Sequence, residues 1–230
     1  AITLSGTTYF TSGALAFDGA SYSISNASDV TIKTSSETVN FGTGDVTIGN
    51  MGLTVDTDPG DTGSAGADIT FAGNILGTTS GSGASDVTLD ADTADVTVLG
   101  IGHDGSNDNN EINEVSLTGA TILTNGKINT HDNTASDKGT VTITGNLSLA
   151  GNTTIETDTA ASQTLDGGIS ITGTTNATGS ETLTINSGSG AVDFGGIIGG
   201  TDGLGTVAIN TTANPGGSGN QATGTIAIAG

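Results

Sequence analysis

The sequence predicts an all-β fold: a single-domain parallel β-helix, or β-solenoid, of about seven to eight coils of roughly 30 residues spanning residues 1–230. Three observations predict it. Apolar and polar residues alternate with period two in short segments from Ile2 to Ile228, the pattern of strands with one buried and one wet face. A strand ending in an apolar residue, a polar residue and a hydroxyl recurs along the chain, followed each time by an apolar-x-apolar pair. Finally, an apolar fraction of 33%, an aromatic fraction of 3% and 39 Gly leave too few bulky groups to fill a compact sandwich.

The cleanest copy of the coil is Gly139 to Asp158, GTVTITGNLSLAGNTTIETD. Val141, Ile143, Leu147, Leu149 and Ile155 point one way, and Thr140, Thr142, Thr144, Ser148, Thr154 and Glu156 point the other. Taken in order, the recurring anchors are Ile32, Val55, Leu89, Ile128, Ile155, Ile185 and Ile209, separated by 23, 34, 39, 27, 30 and 24 residues. Such spread fits strands that keep their register while the corner loops vary. No long 3.6-period run supports helical repeats. Two longer segments, Leu53 to Gly102 and Thr153 to Gly199, share the order VDTD or IETD, then DITFAG or ISITG, and suggest duplication of a multi-coil block.

In six of the seven anchors the residue two places on is Thr or Ser. One reading is a small inward hydroxyl that fits a narrowing corner and bonds a turn backbone group. The other is a ladder of hydroxyls on a flat face, as in solenoid ice-binding proteins, which requires outward T-x-T rows. Thr140, Thr142 and Thr144 make one such row, while Ser, Asn and Asp interrupt it elsewhere. The first and last segments, Ala1 to Leu4 and Thr225 to Ile228, are strand-like and carry no capping helix, so the expectation is either continuation in a longer array or stacking of ends between subunits.

Charge excludes several classes of partner. The net charge is -21, with three Lys (Lys33, Lys127, Lys138) and no Arg, so nothing neutralises a phosphate backbone or an anionic membrane. No apolar run is long enough to span a bilayer. The acid excess suits solubility, a saline medium or divalent cations. There is no Cys, which removes disulfides and thiolate metal sites. The opening AITLSGTTYF has no basic or apolar leader region, as expected of a mature form or an excerpt.

The densest oxygen cluster is Asp104 to Glu111, in which Asp104, Ser106, Asp108 and Glu111 are the candidate calcium ligands. The segment lacks the middle Gly and the full length of an EF-hand loop, and a solvated insertion is the alternative. Asp56, Asp58 and Asp61 are a weaker candidate, because Pro59-Gly60 already marks a turn. No cofactor is required by any motif.

Catalytic readings fare poorly. Polysaccharide cleavage on parallel β-helices uses carboxylates together with cationic groups that hold substrate charge, and there is no Arg. His103 and His131 adjoin Asp104 and Asp132 without a nucleophile elbow. Sugar stacking has only Tyr9 and Tyr22 to use and no Trp. Sequons occur at Asn26, Asn146, Asn152, Asn176 and Asn210.

The segments GTVTITGNLSLAGNTTIETD, DGGISITGTTNATGSETLTINSGSGAVDFGGIIGG and GADITFAG resemble the β-strand-repeat regions of filamentous-haemagglutinin-like bacterial surface proteins. The resemblance covers most of the chain and implies a right-handed parallel β-helix acting as an extracellular stalk, filament or adhesive surface. It transfers no binding residue. The expectation is therefore a non-enzymatic structural protein that self-associates end to end or continues in a longer chain. A calcium-dependent adhesin and an ice-binding solenoid are the alternatives.

Overall fold

The computed structural model describes residues 1–24, 28–49, 51–58, 60, 65–77, 85–103, 112–130, 139–157, 166–210 and the strand at 226–228. Among them there is no helix. Short β-branched runs alternating with Thr, Ser and Asn, cut every few residues by Gly, give 21 strands that pair in parallel into a three-faced solenoid.

The first coil carries β1 (Ile2–Leu4), β2 (Thr8–Thr11) and β3 (Leu15–Ala16), one strand on each of three faces, and the second carries β4 (Ser21–Ile24), β5 (Val30–Thr34) and β6 (Val39–Asn40). β7 (Asp45–Ile48) and β8 (Leu53–Asp56) follow, and β9 (Ile69–Leu76) bends from the third face onto the first face of the next coil. β10 (Val87–Asp90) lies on the second face, and β11 (Val96–Ile101) repeats the bend of β9. β12 (Val115–Thr124) and β14 (Val141–Leu149) bend instead from second face to third, with β13 (Lys127–Asn129) on the first face between them. β15 (Thr153–Glu156), β16 (Ile169–Ile171) and β17 (Thr175–Ala177) make the next coil, followed by β18 (Thr182–Asn186), β19 (Val192–Phe194), β20 (Thr206–Asn210) and β21 (Ile226–Ile228).

The register makes each side chain part of a column. On the second face Val30, Leu53, Val87, Val115, Val141, Ile169 and Val192 stack inward, beside Ile32, Val55, Leu89, Leu117, Ile143, Ile171 and Phe194. All are buried. Each contributes about 1.5–3 kcal/mol by leaving water. Six complete turns, from β5 to β19, have a closed interior, fewer than the seven to eight expected, and further strands pair onto both ends. The step is 23 residues at Thr31↔Thr54 and 34 at Thr54↔Thr88, so coil length varies as the anchors suggested.

The few aromatic residues are concentrated at one end. Phe17, Phe41 and Phe71 stack at centroid separations of 4.3 and 4.5 Å, and Tyr22 meets Phe41 edge-on at 5.3 Å. Such pairs add about 0.5–1.5 kcal/mol beyond area burial. Where β14 bends, Gly145 adopts φ 129° and a Cβ there would lie 1.8 Å from the Gly119 carbonyl oxygen one coil away. Gly173 and Gly196 repeat the close approach in the next coils, at 2.4 and 2.5 Å from the carbonyl of the glycine before. Only a residue without Cβ lets the strands turn there at sheet spacing.

Register also corrects the repeat alignment. Ile32, Val55 and Leu89 belong to the second face, whereas Ile128, Ile155, Ile185 and Ile209 stack on the first. The apolar-x-hydroxyl motif ends strands on both faces, so sequence spacing alone slides from one to the other. For the same reason Val55-Asp56-Thr57-Asp58 and Ile155-Glu156-Thr157-Asp158, the openings of the two similar segments, start on different faces.

Candidate functional site: the second face and its corners

Outward residues of the second face form one long hydroxyl column. Thr8, Thr31, Thr54, Thr88, Ser116, Thr142 and Ser170 follow one another in register, ending at Asp193. The T-x-T row of Thr140, Thr142 and Thr144 is thus interrupted in the other coils, as sequence spacing showed, while its middle position continues as a mixed Thr and Ser column. The flanking positions do not: Thr140 is preceded by Asp86 and Glu114 on the flanking side, and Thr144 by Lys33, Asp56, Asp90 and Thr118 on the other. A shallow depression on this face is lined by Asp86, Glu114 and Thr140 and by Thr88, Ser116 and Thr142.

Inward hydroxyls at the corners bond turn carbonyls, as the first reading expected. Thr34 Oγ1 donates to the Glu37 carbonyl, and Thr57 Oγ1 to that of Ala67 at 2.8 Å. At the corner between first and second faces, Thr130 donates to the Gly139 carbonyl, Thr157 to Gly167 at 2.7 Å and Ser187 to Gly190 at 3.0 Å. The bond spans three residues in one coil and nine or ten in others, so one device closes corners of very different length.

A second corner device went unseen in the sequence. An Asp or Asn side chain of one coil accepts from a backbone N–H of the next: Asp29 from Gly52 (2.9 Å), Asp45 from Asn74 (2.8 Å), Asp68 from Asp95 (3.1 Å) and Asp166 from Ser189 (2.6 Å). Asn146, Asn152 and Asn176 do the same for Thr174, Thr182 and Thr201. At a corner the N–H leaves the ladder direction and needs another acceptor. The signal was available as Asx residues recurring 23 to 30 positions before a corner amide, but the variable coil length hid it. Three sequon asparagines, Asn146, Asn152 and Asn176, thereby have a structural role.

Asp56 and Asp90 are side by side in register, with Lys33 on the other side of Asp56 at 3.5 Å. Burial raises the Asp56 pKa above its ordinary 3.8 and Asp90 adds to the rise, while the Asp58 amide and Lys33 oppose it. Asp56 Oδ1 accepts from the Asp58 amide at 3.1 Å, which fits the turn reading of that stretch. Lys127 pairs with Glu156 at 2.8 Å.

The candidate calcium ligands Asp104, Ser106, Asp108 and Glu111 lie outside the described residues, as do Asp61, His131, Lys138 and Asn26. Among the described residues no group of three or more His, Cys, Asp or Glu could hold a metal ion, and no helix is long and apolar enough to cross a membrane. The fold defines the chain as a parallel β-solenoid, a repeat architecture in which each coil contacts mainly its neighbours. No protein-family model, curated protein or solved structure matches it.

Proposed function

We propose that this chain is a non-enzymatic, extracellular structural solenoid, a segment of a filament or surface stalk that extends by end-to-end stacking of coils. The observation that carries the proposal is the uninterrupted parallel ladder of the second face, in which every coil from β5 to β19 presents the same pair of inward apolar residues. Any coil edge with that profile is a template for another coil, of this polypeptide or of a second copy. Ile2 and Val207, on the first and last strands of the first face, are 43% and 38% exposed, and stacking would cover them. At a strand spacing of about 4.8 Å, six turns extend a rod by about 29 Å. The likeness to filamentous-haemagglutinin-like surface proteins supports the extracellular setting, and the absence of Cys is compatible with it.

Negative-stain microscopy of the purified chain tests this reading. Fibres with an axial repeat near one solenoid length are expected, whereas discrete short rods at high concentration would remove self-assembly and leave a stalk segment. The continuous hydroxyl column favours one second reading, an ice-binding face. Thermal hysteresis in a freezing assay is its test, and freezing indistinguishable from buffer ends it. The calcium-dependent adhesin remains the other alternative, with Asp104, Ser106, Asp108 and Glu111 as its ligands.

A further inference from the structure

We infer that Asp86, Asn113 and Glu114 form a divalent-cation site, suited to Ca²⁺, at the edge of the second face. Register pairs Val87 with Val115, which sets Asp86 and Glu114 on adjacent strands, about 4.8 Å apart in backbone. Two carboxylates in that position repel unless a cation lies between them. Among the described residues the two lysines, Lys33 and Lys127, pair with Asp56 and Glu156.

Asn113 supplies the independent observation. Its Nδ2 donates to Asp86 Oδ1 at 2.8 Å, which fixes the carboxamide against that carboxylate, because exchanging its two ends would set oxygen against oxygen. Asn113 is only 5% exposed, and its Oδ1 is buried with no hydrogen-bond partner. An orphaned buried acceptor destabilises the fold, and a hard cation beside Asp86 satisfies it. The backbone holds the arrangement in place: Asn113 N–H donates to the Ser85 carbonyl at 3.0 Å and Val87 N–H to that of Glu114 at 2.8 Å. The Thr140 hydroxyl donates to Glu114 Oε1 at 3.1 Å and orients the outer carboxylate at the rim of the depression. Carboxylate, carboxamide and hydroxyl oxygens are the ligand types Ca²⁺ takes. The site is built without the 104–111 segment and stands apart from the rod reading.

Calcium chloride titration of the full chain, read by calorimetry and by thermal melting, tests the site. One saturable class of sites that raises the midpoint is expected, weakened about tenfold or more in Asp86→Asn and Glu114→Gln. Asp202→Asn, an exposed acid on another part of the surface, is the control for diffuse charge and keeps wild-type affinity. Asn113→Asp is the sharper variant: its midpoint drops without calcium and its calcium affinity rises. The proposal is overturned if wild type shows no saturable calcium shift, which leaves water as the Asn113 partner. It is equally overturned if Asp86→Asn and Glu114→Gln bind as wild type does.

Discussion

Between its second and third faces the solenoid turns on stacked glycines, Gly119, Gly145, Gly173 and Gly196, the last three each lying directly against the carbonyl of the glycine before and Gly119 against that of Ala94. Between its first and second faces the same middle coils turn across nine or ten residues, and a hydroxyl of Thr130 or Thr157 bonds the carbonyl at the far side. The first corner is fixed by what is missing, a Cβ, and cannot give. The second is fixed by one added bond and leaves the intervening chain free to differ. The third coil marks the contrast, because there the corner between the second and third faces carries an insertion and Thr57 closes it with a hydroxyl to Ala67 in place of a glycine turn.

The largest expected effect follows from Gly145. Gly145→Ala places a methyl group within bonding distance of a backbone oxygen and forces an L-residue into φ 129°. A loss of at least about 3 kcal/mol in urea unfolding is expected. Thr157→Val keeps the shape and removes the donor, stranding the Gly167 carbonyl, for about 1–3 kcal/mol. Doubling the length of the segment 158–165 with Gly and Ser, leaving Thr157 and Gly167 intact, is expected to cost only about 0.6 kcal/mol. If Gly145→Ala proves no worse than Thr157→Val, or the lengthened segment proves worse than either, the two corners do not differ as described.

The smallest effect concerns Asp56, just before the exceptional corner. Its folded pKa is raised, so the folded state holds this proton more tightly than the unfolded state does. That contribution is present below 3.8 and is lost as pH rises through the folded value. Asp56→Asn should therefore flatten the decline of stability with pH in the window opening at 3.8, measured as urea midpoints against pH. An unchanged slope would assign the decline to other carboxylates.

The class of fold was readable because inward columns need only apolar residues at period two, and Val141 to Leu149 state that pattern plainly. The corner hydroxyls were readable too, since Thr34, Thr57, Thr130, Thr157 and Ser187 keep a fixed place after an apolar residue. Face identity was not. A triangular coil offers three similar strands, and coil steps of 23 to 34 residues overlap the error of sliding by one face, which is how Leu89 and Ile128 came to be aligned. The hydroxyl column through Thr142 was hidden by the same slip. Asn113 was beyond reach, because its meaning lies in a contact with Asp86 that is 27 residues away in sequence and adjacent in space.

The aromatic stack has a practical consequence for anyone following this protein in solution. Both tyrosines, Tyr9 and Tyr22, belong to the first two coils, Tyr22 is packed on Phe41, and there is no tryptophan. Intrinsic ultraviolet emission therefore originates at one end of the rod, while far-ultraviolet dichroism averages over every strand. In a molecule whose coils are coupled mainly to their neighbours, those signals are two thermometers at different places, and the difference between them measures how far one end feels the other.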